Sequence, residues 1–261
     1  MNAQVIDIGP WQLAFCLLFV VAAGAASIWY RLGLGKDLLV GTIRTFAQLF
    51  AMGYVLKFVF ALDMAAPVIG LFLIMTATAA HLVRGRVKER AVPLALPVFL
   101  SMFISYGLIS FLVTAVIVGA DPWWTPQYFI PLAGMIVGNS MSAIALSLER
   151  MFKDLKERRQ VVEMKLCLGA TPMEAARDIM ADAVRAGMIP SINSLMGVGL
   201  VFLPGMMTGQ ILAGADPLLS IRYQIVVMLM LVASAALGTV LVTRLIFRRC
   251  FTPDGRPLLR K

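Results

Sequence analysis

Residues 221–247 read IRYQIVVMLMLVASAALGTVLVTRLIF, and between Arg222 and Arg244 no charged side chain intervenes. An α-helix needs ~20 such residues to cross ~30 Å of hydrocarbon. This stretch is therefore read as a membrane span. Earlier runs at about 10–30, 38–61, 65–83, 91–119, 127–148 and 188–212 have the same character. The expected fold is all-α, one polytopic transmembrane domain over residues 1–261 with seven spans. The run at 91–119 is overlong, and Pro93 and Pro97 are expected to bend its start or lay it along the interface.

Composition agrees. The chain has 261 residues, 60% hydrophobic and 14% charged, with a mean hydropathy of +0.87. A soluble domain carries about a quarter charged residues, so a soluble enzyme, a nucleic-acid module and a disordered protein are all excluded. The net charge of +9 is spread over short clusters between apolar runs, leaving no basic domain to dock a nucleic acid. Membrane lipid is the expected surrounding. Cys16, Cys167 and Cys250 fall in three different segments, which indicates neither a disulfide frame nor a thiolate metal site. His81 closes an apolar run before a basic loop and is read as interfacial. The leader MNAQVIDIGP has one Asp and no basic residue, whereas a secretory signal starts basic. The first run is expected to remain as a span.

Basic residues set the orientation. Arg31 and Lys36 separate the first two spans, and Arg84, Arg86, Lys88 and Arg90 the third and fourth. Arg150, Lys153, Lys156, Arg158, Arg159, Lys165, Arg177 and Arg185 fill the connection at 149–187, and the tail from Arg244 onward is basic again. With seven spans these regions share one side. Only Arg44, Lys57 and Arg222 lie elsewhere. The expectation is N-terminus outside and C-terminus inside.

No energy source is visible in the chain. All 14 acidic residues fall in expected loops or span ends, so no buried proton relay can be assembled. Gly35-Lys36 lacks the rest of a phosphate-binding loop, and HExxH and GxSG are absent. No cofactor is expected on this chain and no catalytic residue is assigned. The connection at 149–187 offers another route. Within it 163–179 reads EMKLCLGATPMEAARDI, where Gly169 should end one short helix. Thr171-Pro172 should begin the next, with Thr as cap and Pro at the first helical position. The spacing of Glu163, Gly169 and Ile179 resembles the loop by which ABC permeases dock on their ATPase subunit, although Met164-Lys165 replace its two alanines and no Leu-Pro follows Ile179. On that reading Glu163, Gly169, Ala170 and Thr171 carry the coupling. The alternative is an amphipathic hairpin on the membrane surface.

A pathway can be sketched from the polar and soft residues in the core. Gly134, Met135 and Gly138 precede Asn139, while Gly205, Met206, Met207 and Gly209 precede Gln210. Both copies read GMxxG followed by a carboxamide, shortly after Pro131 and Pro204. The four glycines suit close helix packing. Asn139, Asn193, Met206, Met207 and Gln210 are candidates for a lining, and Met135, Met206 and Met207 for transient metal contacts. Arg44 and Gln48, four apart on the second span, join them, unless Arg44 snorkels to lipid phosphate. Trp11, Trp123 and Trp124 are read as interface anchors.

Four segments together carry a family resemblance. They are IRTFAQLFAMGYVL at 43–56, PLAGMIVGNSMSAIALSLER at 131–150, LGATPMEAA at 168–176, and IPSINSLMGVGLVFLPGMMTGQILAGADP at 189–217. The chain resembles the FetB-type permeases, bacterial ABC permeases associated with iron export and similar to plant aluminium-tolerance permeases. The resemblance implies a multi-pass inner-membrane homodimer paired with a separate FetA-type ATPase, which uses the ATP, and export of a metal ion, with iron foremost. The residues themselves leave the cargo open, since Fe²⁺ prefers carboxylate, imidazole or thiolate ligands. A chelated metal, an organic molecule or a nucleotide sugar remains an alternative cargo. A passive channel and a non-transporting scaffold remain alternatives to the ATP-driven permease.

Overall fold

A computed structural model describes residues 9–62, 64–87, 89 and 92–252. Asp7, Asp63, Lys88, Arg90, Asp254 and the basic residues of the last segment lie outside the described residues. Hydrocarbon offers no partner to a backbone N–H or C=O, so a spanning chain must satisfy both internally. The described residues are accordingly almost all helical. Among the described residues, six stretches are long and apolar enough to cross a membrane: Pro10–Trp29, Gly35–Leu62, Ala65–Arg86, Ala95–Ile117, Pro126–Glu157 and Pro217–Phe247. The chain divides into two units, Met1–Asp63 with Leu212–Ala215, and Met64–Ile211 with Asp216–Lys261.

The first unit contains α1 (Pro10–Phe15), α2 (Leu17–Trp29) and α3 (Gly35–Leu62). Ser27 organises the turn between the last two: its Oγ accepts the Leu34 N–H at 3.1 Å, and its carbonyl accepts that of Leu32 at 2.9 Å. Gly33, at φ 71°, supplies the left-handed step.

The second unit begins with α4 (Ala65–Arg86) and α5 (Ala95–Leu112), which runs on into a π-helical turn at Val113–Ile117. Pro93 lies ahead of α5 and Pro97 in its first turn, where a missing N–H leaves no bond unmade. The expected bend is therefore a clean helix start. Then follow α6 (Pro126–Glu157), α7 (Arg159–Cys167), α8 (Pro172–Ala175), α9 (Arg177–Gly197), α10 (Gly205–Leu212) and α11 (Pro217–Phe247). Asp216 caps α11, accepting the Leu219 N–H at 3.1 Å, with Pro217 at its first position.

Two expectations need correction. The connection at 149–187 is helical, but its ends belong to the neighbouring helices, because α6 continues to Glu157 and α9 starts at Arg177. The run at 188–212 is no single helix, because α9 ends at Gly197 and α10 begins at Gly205, with irregular chain between them.

Side-chain pairs fix the direction of the elements. Lys156 of α6 meets Glu89 at 2.5 Å, and Arg249, just beyond α11, donates to the Pro93 carbonyl at 3.5 Å. The ends of α6 and α11 therefore share the α4–α5 connection. α9 runs against α6, since Gly187 faces Ala143 and Ser147 while Ser191, further along, faces Asn139. The broken pair α9–α10 is thus the return path that carries the chain from the end of α6 to the start of α11.

What packs this unit is small and hydroxylic. Ser101, Ser105 and Ser110 on α5, Thr114 in the π-helical turn that follows, Ser140 and Ser147 on α6, and Ser234, Thr239 and Thr243 on α11 are all buried. Several donate to the carbonyl one turn back, as Thr114 does to Ser110 at 2.7 Å and Thr243 to Thr239 at 2.6 Å. Ser140 and Ser234 meet at 2.9 Å across the α6–α11 contact. Small residues let helix backbones approach where no hydrophobic force separates protein from lipid. A Cβ on Gly134 would stand 3.1 Å from Met75 Cε. Among the described residues a Cβ on Gly138, Gly205 or Gly209 meets nothing within 4 Å. The tight ones are Gly187 and Gly238.

Candidate functional site

The break between α9 and α10 follows from 197–204, GVGLVFLP. Gly199 takes φ 85°, open to glycine at no steric cost. Pro204 pushes the residue before it out of helical geometry. The segment closes on itself through Gly199 N–H to Phe202 O at 3.0 Å and Val201 N–H to Gly197 O at 2.8 Å. Pro204 then starts α10, its carbonyl accepting both the N–H and the hydroxyl of Thr208 at 3.1 Å.

Behind this break lies a cavity of about 340 Å³. Leu195, Val198, Leu203, Pro204 and Met207 line one wall, and Ile221, Gln224, Ile225 and Met228 of α11 the other. Gln224 is 5% exposed, yet its carboxamide oxygen accepts no hydrogen bond. The Gln210 carboxamide oxygen is likewise buried and unpartnered. Met206 is half-buried and Met207 buried.

The other pathway candidates distribute differently. Asn139 donates to Ser191 Oγ at 3.4 Å and so links α6 to α9. Asn193 is exposed, and Met135 is half-buried on α6. Arg44 and Gln48 are exposed on α3, in the other unit. The described residues contain no group of three or more His, Cys, Asp or Glu able to hold a metal. Gln224 escaped the sequence reading. It stands close to Arg222 at the start of an apolar run, where a single carboxamide gives no signal of its own.

The second feature is the turn between α7 and α8. Gly169 takes φ 91° and ends α7, with Ala170 N–H returning to Lys165 O at 3.1 Å. Thr171 caps α8: its Oγ1 accepts the Glu174 N–H at 3.3 Å, and the Glu174 carboxylate accepts the Thr171 N–H at 2.8 Å and hydroxyl at 2.7 Å. Those two bonds, the hydroxyl's first, hold the Glu174 carboxyl below its ordinary range. Glu163 pairs with Arg159 at 2.7 Å, and Lys165 reaches Asp178 at 3.4 Å, tying α7 to α9. Val161, Met164 and Leu168, at i, i+3 and i+7, form an exposed apolar face, with Leu168 80% exposed. That face was missed because Met and Leu in a short helix read as core.

An ion pair with one buried partner anchors the base of this region. Asp154, expected in a loop, is on α6 and 2% exposed, and Arg150 holds it at 2.8 Å. The helix extension past the expected span end is what carries Asp154 inward.

Long apolar helices packed through buried hydroxyls and glycines define a polytopic helical membrane protein. The chain belongs to UPF0014, described as an uncharacterised protein family, which it matches over residues 10–251. It is 38% identical to "UPF0014 membrane protein slr1647" of Synechocystis, over 99% of this chain and 100% of that one. It is 37% identical to "Probable iron export permease protein FetB" of Escherichia coli, over 92% and 91% respectively. "Protein ALUMINUM SENSITIVE 3" of Arabidopsis thaliana is 35% identical over 94% and 88%. The Synechocystis and Escherichia coli relatives are named as a membrane protein and a permease. No solved structure matches the chain.

Proposed function

We propose that this chain is the membrane subunit of an ABC exporter that moves a metal, with iron first among candidates, out of a bacterial cytoplasm. It works as a pair of copies in the inner membrane, with a separate ATPase subunit on each. The chain crosses seven times, N-terminus outside, the α9–α10 pair counting as one crossing. Pathway residues are Asn139, Met206, Met207 and Gln210, with Arg44, Gln48 and Asn193 contributing, and the α7–α8 turn receives the ATPase.

The observation that carries the reading is the exposed apolar face of Val161, Met164 and Leu168 beside the capped turn. Exposed apolar patches mark docking surfaces, and Gly169, Ala170 and Thr171 give this one a rigid shape. Likeness to a protein named as a probable iron export permease supports iron as the first candidate cargo. A second reading, in which the cargo is organic or a metal complex, is favoured by the apolar lining behind the helix break.

The test is reconstitution with the cognate ATPase in vesicles and measurement of ATP-dependent iron movement. Movement that requires both chains supports the permease. Full-rate movement without the ATPase means a passive channel, and none with both chains means a scaffold. In the active vesicles, Asn139→Leu with Gln210→Leu should slow transport at least tenfold.

A further inference from the structure

We propose that the cavity behind the helix break binds a compact, mostly apolar organic molecule that presents an N–H or O–H to the Gln224 carboxamide oxygen. Three observations converge on this. The cavity, about 340 Å³, lies within the range of about 300–1,000 Å³ common for small-molecule sites. Its lining is aliphatic and thioether except for one polar side chain, and Met207 and Met228 give it the adaptability that unbranched thioethers confer. That polar side chain is buried, and its acceptor oxygen has no donor. Buried acceptors are nearly always paired, and this orphan belongs to a residue of the cavity wall, where a turn of the side chain offers it to a ligand's donor.

The lining also says what does not bind. A bare divalent ion needs several hard or imidazole ligands, and neither a carboxylate nor a His lines this cavity. An anion would face the same lone carboxamide oxygen with no cation to hold it. A neutral donor is what remains, as free molecule or as the organic part of a metal complex. Irregular backbone at membrane depth is tolerated where it borders such a cavity, and 198–204 forms one wall. That this molecule is the cargo rests on the permease reading; that the cavity binds it does not.

The test uses indole, whose ring N–H is a donor, and N-methylindole, whose donor is blocked, on the full chain in lipid nanodiscs. Ligand-induced thermal stabilisation gives apparent affinities. Wild type should bind indole about tenfold more tightly than N-methylindole, the worth of one hydrogen bond. Gln224→Leu should erase that difference while keeping N-methylindole binding, which also shows the variant to be folded. Met228→Trp should fill the space and abolish both. Equal binding of the two probes by wild type and Gln224→Leu overturns the proposal, as does indole binding that survives Met228→Trp. In ATPase-driven vesicles, a folded Met228→Trp that exports at the wild-type rate removes the cargo assignment and leaves the permease standing. Absence of ATP-driven export in wild type removes the permease and leaves the binding site standing.

Discussion

A Cβ placed on Gly187 would stand 2.6 Å from the carbonyl oxygen of Ala143. Thr239 Cγ2 and Ser147 Cβ, at 2.9 Å and 3.0 Å, close the remaining space. Here α9, α6 and α11 meet, and only hydrogen fits. Gly187→Ala should destabilise the unit by about 1–3 kcal/mol, the usual range for overpacking. Gly138→Ala and Gly209→Ala, with open space around them, should stay within about 0.5 kcal/mol of wild type. Thermal unfolding in detergent separates the cases, and equal midpoints for all three would refute this packing scheme.

The buried Asp154 carboxylate depends on Arg150. Losing one partner of a fully buried pair costs about 3–5 kcal/mol. Arg150 is 42% exposed, so water screens part of that. Arg150→Ala should therefore destabilise by about 2 kcal/mol. Lys153→Ala, which breaks an exposed pair 3.9 Å apart, should cost less than about 0.5 kcal/mol. Denaturant titration of the two variants gives the comparison.

Docking should fail at Leu168 without loss of fold. Leu168→Glu adds a charge to a side chain already 80% exposed, so its thermal midpoint should match wild type while the ATPase no longer co-purifies. Gly169→Pro is a harsher change, because proline cannot take φ 91°. It should leave membrane insertion intact and uncouple ATP hydrolysis from transport. Co-purification of the ATPase with Leu168→Glu at wild-type yield would move the docking face elsewhere.

Acid should loosen the α7–α8 turn. The Glu174 carboxylate is held below its ordinary value of 4.5 by its bonds from Thr171. A depressed carboxyl contributes stability above that ordinary value and loses it as pH falls through the lowered one. The cap should thus be unchanged above pH 4.5 and weaken below it. Amide shifts of Thr171 and Glu174 followed by NMR should show one transition there. Thr171→Val, which removes the first-ranked bond, should move that transition upward; an unmoved midpoint would mean the cap does not set it.

Thiol labelling reads both exposure and sidedness. Cys167 is exposed at the end of α7. Cys250 is buried, and burial, with Glu89 adding to it, pushes its thiol up to about 12. A membrane-impermeant maleimide at pH 8 should modify Cys167 in inside-out vesicles, spare it in intact cells, and leave Cys250 unmodified in both. Modification of Cys167 from outside intact cells would reverse the proposed orientation.

The long apolar helices were legible because lipid imposes a simple length rule, and the α7–α8 turn because Gly169, Thr171 and Pro172 act locally. The broken return was not, since Gly197, Gly199 and Pro204 sit in a run whose hydropathy alone suffices for a span. Asp154 was misplaced, and the burial of Gln224 went unread, for one shared reason. A polar residue near the end of an apolar run looks solvated, and only the neighbouring helices decide otherwise. Gly138, Gly205 and Gly209 show the converse: a packing motif states what a surface permits, not that a partner in the same chain uses it.

The hydroxyls of α5 and α11 that bond one turn back have a consequence for biogenesis. Each such helix leaves the translocon with these polar groups already answered from within, so it can partition into lipid alone and wait. Assembly is then left to shape. Serine to alanine on those faces should barely disturb maturation, whereas serine to leucine should yield inserted but unassembled chains for the membrane's quality-control proteases.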